Sequence, residues 1–364
     1  MVVARTAVGR RSPHGVFHRL EVIAKEALCD DAAAITFDVP PPLADEFVFA
    51  AGQSVTLRRT VDGVEHRRSY SICAPAGDRL RVGVRRIPNG LFSGWLIDEV
   101  EIGDRVDVQP PRGSFVADQR AGGRHLLIAA GSGITPILSI VGTVLRDPAA
   151  TATLIYANRR VSSVMFTEEI ADLKNIHPDR FEVIHVLSRE PRDVELFSGR
   201  LDADRLRAIL AELVPLDRID DVWLCGPFDL ITTARRVVTE MSIGGPRIHN
   251  ELFFVEDAAP TPAAHHDRDI QGPAAELSLT LCGSTSTTKI AHDETVLEAA
   301  SRIRSDVPFA CKGGVCGTCR ALITAGDGRM RRNYALEDDE IAAGFVLTCQ
   351  TYPVSDMIAV DYDT

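Results

Sequence analysis

Four of the eight cysteines carry the clearest chemistry in this chain. Cys311, Cys316 and Cys319 lie in Cys-Lys-Gly-Gly-Val-Cys-Gly-Thr-Cys, and Cys349 follows in Leu-Thr-Cys-Gln. This spacing, Cys-x4-Cys-x2-Cys with a distant fourth cysteine, is the plant-type arrangement for a 2Fe–2S cluster. Four thiolates must converge on two irons, and the bridging sulfides need hydrogen-bond donors. Gly313, Gly314 and Gly317 let the backbone curl tightly and turn its N–H groups inward. A structural zinc site is the competing reading. Zinc motifs usually pair cysteines twice at short spacing, however, and the second pair is missing here. Cys29, Cys73 and Cys282 are scattered and read as small buried hydrophobes.

A second group is Arg68-Ser69-Tyr70-Ser71, at the end of a β-rich run. An arginine can grip a pyrophosphate through its planar fork, a tyrosine two residues on can lie against an aromatic ring, and a serine can hydrogen-bond a ring nitrogen. Four residues in a strand could equally be an exposed edge. Support comes from Val84-Arg85-Arg86 followed by Gly90-Leu91-Phe92-Ser93, where a glycine turn and a serine opening a helix could form an anion site or only an ordinary cap.

A third group sits on loops after apolar strands. Gly131-Ser132-Gly133-Ile134-Thr135-Pro136 follows one strand and opens a helix, as a dinucleotide loop does, although proline stands where the last glycine of that motif would be. Cys225-Gly226-Pro227 follows another strand. The loop 157–163 contains Arg159 and Arg160 and no Asp or Glu, so it could meet a ribose 2′-phosphate, or the two arginines could simply be solvated.

These loops need elements to position them. From Phe17 to about Asp118, short β-rich runs (54–57, 80–84, 105–108) alternate with turns such as Asp62-Gly63 and predict an antiparallel β-barrel. From 119 to 254 the pattern changes. Strands at 125–130, 153–156, 181–187 and 221–224 alternate with helices at 136–145, 165–175, 203–213 and 229–241, which predicts a doubly wound α/β parallel sheet. Residues 1–16 read as a flexible tail. Residues 255–274, rich in Ala, Pro, His and Asp, read as a linker before a third unit at 275–364.

Composition narrows the function class. The formal charge of −11 disfavours a nucleic-acid partner, and 45% hydrophobic with 25% charged residues is ordinary for a globular chain. Residues 126–145 form an uncharged run long enough to span a bilayer, yet Gly131-Ser132-Gly133 and Pro136 break it, so no membrane insertion is expected. The N-terminal apolar run, Val2 to Ala4, is too short for a signal peptide. A cytoplasmic setting is therefore expected, where thiols stay reduced and clustered cysteines suit a metal rather than disulfides.

Taken in order, Arg68-Ser-Tyr-Ser, the Gly131 loop, Cys225-Gly-Pro and the cysteine loop resemble the ferredoxin–NADP reductase superfamily with a C-terminal 2Fe–2S domain. Leu187-Ser-Arg-Glu190, Phe197-Ser-Gly-Arg-Leu-Asp202, Asn333-Tyr-Ala-Leu-Glu337 and Gly344-Phe-Val-Leu-Thr-Cys-Gln350 are similar to the reductase components of phenylacetyl-CoA epoxidases, and reductases of steroid 9α-hydroxylases share the same order. The resemblance implies a β-grasp α+β fold for the third unit. It implies FAD bound by Arg68, Ser69, Tyr70 and Ser71, with Arg85 and Ser93 on its phosphates. It places NADPH, or NADH, on Gly131, Gly133, Thr135, Arg159 and Arg160, with Cys225 beside the nicotinamide. Glu251 would approach the flavin edge, and the cluster would sit on Cys311, Cys316, Cys319 and Cys349. Ser71, Cys225 and Glu251 are the residues expected nearest the chemistry. The implied path runs from the nicotinamide nucleotide through FAD and the cluster to a di-iron oxygenase. A redox carrier or sensor without sustained turnover is the alternative class, and a nucleotide site argues against it.

Overall fold

The computed structural model describes residues 16–117, 122–241, 247–253, 275–291, 294–336 and 338–364. The expected tail, apart from Val16, and the expected linker at 255–274 lie outside the described residues.

The first unit is a six-stranded antiparallel sheet made of β1 (His18–Cys29), β2 (Ala32–Asp38), β3 (Ser54–Val61), β4 (Val64–Ser71), β5 (Arg81–Arg85) and β6 (Arg105–Val108), in the order β4-β3-β6-β1-β2-β5. A bridge between Ile72 and Val82 joins the two edge strands and closes the barrel. The turn between β3 and β4 has positive φ at both Asp62 and Gly63, the geometry that matches strand twist in a two-residue hairpin. Helix α1 (Leu91–Asp98) plugs the barrel with Phe92 and Leu96.

The second unit is a five-stranded parallel sheet of β7 (Gly123–Ala130), β8 (Ala150–Asn158), β9 (Phe181–Leu187), β10 (Asp221–Gly226) and β11 (Ile248–Leu252), ordered β11-β10-β7-β8-β9. Helices α2 (Ile134–Val144), α3 (Thr167–Ile176), α4 (Ala203–Leu213) and α5 (Phe228–Glu240) connect the strands. The uncharged run at 126–145 is thus a buried central strand followed by a helix whose residues 134–142 are all buried. Both must be apolar throughout because both faces are covered. Among the described residues, no helix is long and apolar enough to cross a membrane. Strand β8 runs well beyond the predicted 153–156, because ladders on both sides pair Ala150 to Asn158 and override weak local propensity.

The barrel and the parallel sheet share one hydrophobic cluster. It joins Ala32, Ala34, Ala51, Cys73 and Phe115 of the first unit to Leu127, Ile137, Val141, Trp223 and Cys225 of the second. Strand β2 is buried from Ala32 to Phe37, since one face fills the barrel and the other, kept small by alanine, meets the second unit. The rings of Phe115 and Trp223 meet edge-on at 5.5 Å across this junction.

The third unit is a mixed sheet of β12 (Ala275–Leu281), β13 (Ser284–Ile290), β14 (Arg320–Met330), β15 (Phe345–Leu347) and β16 (Thr351–Asp361), ordered β13-β12-β16-β14-β15 with only β12 and β16 parallel. Leu277, Leu279 and Leu281 alternate inward along β12 with period two. Helix α6 (Val296–Ile303) packs on them, its first turn closed by a reciprocal Thr295–Glu298 cap, and a short α7 (Asp338–Ala342) precedes β15.

Candidate electron-transfer site

The cysteine loop lies between α6 and β14 and brings four thiols together as two pairs, Cys311 with Cys316 and Cys319 with Cys349. Among the described residues, no three His, Cys, Asp or Glu side chains converge as ligands of a single ion. Four thiols gathered at Cys-x4-Cys-x2-Cys with a distant fourth cysteine suit a 2Fe–2S cluster better than one zinc. The Cys316 thiol donates to Cys311 and lowers its pKa, and N–H groups of Val315, Gly313 and Cys316 add to that effect. The Gly313 N–H lies 3.3 Å from Cys311 Sγ. In the other pair the Cys319 thiol donates to Cys349, which also receives the Gly314 N–H and is lowered likewise. The donor set therefore fits an anionic cluster sulfur environment.

Loop geometry follows from two glycines. Gly314 has φ +78, and a Cβ there would lie 3.1 Å from the Arg332 carbonyl oxygen; Gly317 has φ +67. Behind the loop, the Tyr362 hydroxyl donates to Thr348 Oγ1 at 3.0 Å, and Thr348 Oγ1 donates to the Cys319 carbonyl at 2.9 Å, all buried. Sequence reading missed Thr348 and Tyr362. The adjacency of Thr348 to Cys349 was the one available signal.

Strand β4 presents Arg68, Ser69, Tyr70 and Ser71, the residues expected to meet the flavin, in alternation. Arg68 is half-buried and donates to the Arg67 carbonyl at 2.8 Å. Tyr70 keeps part of its ring exposed beside α1, 6.1 Å from Phe92, while the burial around its hydroxyl raises its pKa. Ser69 Oγ is 3.5 Å from Thr56 Oγ1, a weak contact. Ser93 is buried, and its Oγ accepts the Ile87 N–H at 3.0 Å, so it braces the turn that opens α1.

Arg85 reaches from the barrel to the second unit. Its Nε donates to Asp31 at 3.1 Å, its Nη2 to the Ser163 carbonyl, and a Cβ on Gly131 would lie 3.2 Å from its Nη1. It lies beside the loops that follow β7 and β8. The cause is strand parity: Val82 and Val84 fill the barrel, so Arg81, Gly83 and Arg85 face outward, where they meet Glu169, Thr135 and Ser163. The apolar pair Val82 and Val84 already carried that signal.

The loops expected to hold the nucleotide meet at the carboxyl ends of β7, β8 and β10. Gly131 has φ +55, and its carbonyl accepts the Tyr156 hydroxyl at 3.0 Å. Gly133 lies so close to β10 that a Cβ would be 2.2 Å from the Cys225 carbonyl oxygen. Thr135 is buried and donates back to the Ser132 carbonyl at 3.0 Å. Cys225 is fully buried under the loop, and desolvation pushes its thiol up. Arg159 and Arg160 are exposed. The buried Asn158 amide approaches the Tyr156 hydroxyl but makes no hydrogen bond of good geometry, which leaves polar atoms for a ligand at this strand end. A carboxylate does reach this loop from further along the chain: Glu190 Oε2 accepts the Val161 N–H at 2.9 Å.

Two of the expected residues meet across the junction of the first two units. Ser71 Oγ donates to Glu251 Oε2 at 3.1 Å, although they are 180 residues apart. Glu251 pairs with Cys225 in the parallel ladder between β11 and β10, so the Gly133 contact and the Ser71 contact converge on neighbouring strands. Desolvation raises Glu251 to about 7, against the lowering effect of the Ser71 hydrogen bond. The residue keeps some exposed surface while its carboxyl is enclosed. The scattered cysteines correct the sequence reading in part: Cys73 is buried, but Cys29 is half-buried and Cys282 is exposed, in a tight turn at φ +54.

The chain matches the family models for an oxidoreductase FAD-binding domain over 19–116, an oxidoreductase NAD-binding domain over 127–236 and a 2Fe-2S iron-sulfur cluster binding domain over 279–354. It is 37% identical over 352 residues to one of the subunits of the 1,2-phenylacetyl-CoA epoxidase of Escherichia coli, covering 95% of this chain and 98% of that one. It is 32% identical to the ferredoxin reductase component of a 3-ketosteroid-9-alpha-monooxygenase of Mycobacterium tuberculosis, covering 95% and 96%. Phthalate dioxygenase reductase shares the fold, with a TM-score of 0.57 and 24% identity over 95% of this chain and 98% of that one. Three cofactor-binding units in this order, with 37% identity over nearly the whole of both chains, make the chain a member of the family of NAD(P)H-dependent flavin iron–sulfur oxidoreductases to which that phenylacetyl-CoA epoxidase component also belongs, with FAD and a 2Fe–2S cluster as its cofactors.

Proposed function

We propose that this protein is the reductase component of a multicomponent oxygenase, delivering electrons from NADPH to a di-iron oxygenase of the phenylacetyl-CoA epoxidase type. The observation that carries the reading is the near full-length similarity to the Escherichia coli epoxidase component, together with the pairing of all four cluster cysteines. A nicotinamide gives two electrons as a hydride and a 2Fe–2S cluster takes one at a time, and a flavin can accommodate both.

The residues divide this work. Arg68 and the N-terminus of α1, braced by Ser93, suit the FAD phosphates; Tyr70 suits its ring system, and Ser69 and Ser71 supply hydroxyls. Ser71 and Glu251 hold a proton at the junction of the first two units. A carboxyl raised to about 7 is near half-protonated at neutral pH and can take or return a proton through the serine hydroxyl. Gly131, Gly133 and Thr135 shape the nucleotide loop, Arg85 joins it from the barrel side, and Cys225 fills the space beneath. The four cysteines hold the cluster. Domain limits of 17–118, 119–254 and 275–364, and a cytoplasmic setting, belong to the same reading.

Arg159 and Arg160 favour a 2′-phosphate, and the Glu190 carboxylate is already engaged by the Val161 N–H. The expected kcat/KM therefore favours NADPH over NADH by about tenfold, or ~1.4 kcal/mol, from one charge-assisted contact. Changing both arginines to glutamate should invert the preference. The reading as a whole is tested by reconstitution. Added to a phenylacetyl-CoA epoxidase oxygenase component, the protein should support NADPH- and oxygen-dependent epoxidation. Support of a steroid 9α-hydroxylase oxygenase alone would overturn the choice of partner.

A further inference from the structure

Arg67 stands one residue before the flavin-strand motif, yet its guanidinium is buried and reaches into the third unit. Its Nη1 donates to the Val307 carbonyl and its Nη2 to the Ser305 carbonyl, each at 3.2 Å. Its Nε donates to Glu65 at 2.7 Å, so every side of the planar fork is engaged. The same guanidinium lies 4.2 Å from the centroid of Phe309, two residues before Cys311, and Lys312 approaches that ring as well, at 4.8 Å. Arg67 is only 4% exposed, although arginine is seldom fully buried without a specific partner.

Strand parity gives this contact its meaning. Arg67, Ser69 and Ser71 share one face of β4, by the period of two. At one end of that face Ser71 meets Glu251 of the nucleotide unit; at the other Arg67 meets the segment that enters the cysteine loop. Four residue steps of strand separate them, roughly 13 Å at the usual rise. A second contact, Phe228 against Tyr334 at 5.2 Å, touches the cluster unit from the nucleotide side.

We propose that Arg67 is a positioning residue that fixes the segment 305–311, and with it the cluster, against the flavin strand. It does so by satisfying two carbonyls and clamping Phe309, and it takes no part in holding either nucleotide. The inference rests on the proposed electron path and adds the residue that sets the spacing along it.

The test compares unmodified protein with Arg67→Met, which keeps most of the side-chain volume and removes the donors, and with Arg67→Lys, which keeps a charge but not the fork. Phe309→Leu provides a second route to the same loss. In anaerobic rapid mixing with NADPH, flavin bleaching should keep its rate in Arg67→Met, while the following reduction of the cluster slows by about tenfold or more, as expected for a misplaced reaction partner. Arg67→Lys should lie between, and Phe309→Leu should shift in the same direction. Amide hydrogen exchange should quicken over 303–311 in Arg67→Met and stay unchanged over 123–130. Cluster reduction at the unmodified rate in Arg67→Met overturns the proposal. So does an equal fall in both steps, since that marks a general loss of structure. An unmodified protein that does not oxidise NADPH at all would instead defeat the functional reading.

Discussion

Replacing Cys349 by alanine should remove the cluster and lower reduction of cytochrome c by roughly a hundredfold or more, since even loss of a group behind a metal ligand costs 10–100-fold. Cys349 is 6% exposed and is paired with Cys319, and it reaches the loop from the far side, after β15. Iron content should fall with the loss of the visible cluster bands. Turnover with NADPH and ferricyanide, a small acceptor that needs no cluster, should persist because the flavin and nucleotide units have their own shared core. Retention of two irons and of cytochrome c reduction in Cys349→Ala would falsify the ligand set.

Gly133→Ala should strike the nucleotide step and leave the cofactor content intact. The φ of Gly133 is ordinary, at −60, so backbone strain is not the cause. The cause is contact: the added Cβ would stand 2.2 Å from the Cys225 carbonyl oxygen, 2.5 Å from its carbon and 2.8 Å from the Gly226 nitrogen. All three are backbone atoms in a strand laddered on both sides, to Ala129 and to Glu251, and cannot swing aside as a side chain could. The loop must lift away from β10. Overpacking of this kind costs about 1–3 kcal/mol of stability, read as a lower Tm. Displacement of the loop by even an ångström should lower kcat/KM for NADPH by up to about a hundredfold. Flavin content and cluster absorbance should match those of the unmodified protein. Unchanged kcat/KM would mean that the close approach of the two loops does not shape the nucleotide site.

What could be read from sequence was what is local. The cysteine spacing is a contiguous signal, because a cluster loop must close on itself within a few residues. The uncharged run at 126–145 was also legible, because only a covered strand and helix tolerate such a composition in a chain punctuated by Gly131-Ser132-Gly133. Contacts between units were not legible. The Ser71–Glu251 hydrogen bond joins residues 180 apart, and nothing in either segment names the other. Glu190 reaches the Val161 N–H from the next βα loop, so a search confined to 157–163 found no acid there. Arg85, turned outward by its parity with Val82 and Val84, reaches the Ser163 carbonyl of the second unit, a contact that no local motif names. Arg67 was passed over because an arginine beside a motif looks like surface, and only the packed structure shows it reaching Ser305 and Val307.

In the proposed electron path the flavin is reduced before the cluster. Anaerobic rapid-scanning absorbance of the iron- and FAD-loaded protein mixed with NADPH tests it most directly. Flavin absorbance should bleach first and cluster absorbance should follow, and protein stripped of FAD should show no change at the cluster bands. Reduction of the cluster by NADPH in the FAD-free protein, or a purified protein holding one zinc and no acid-labile sulfide, would contradict it.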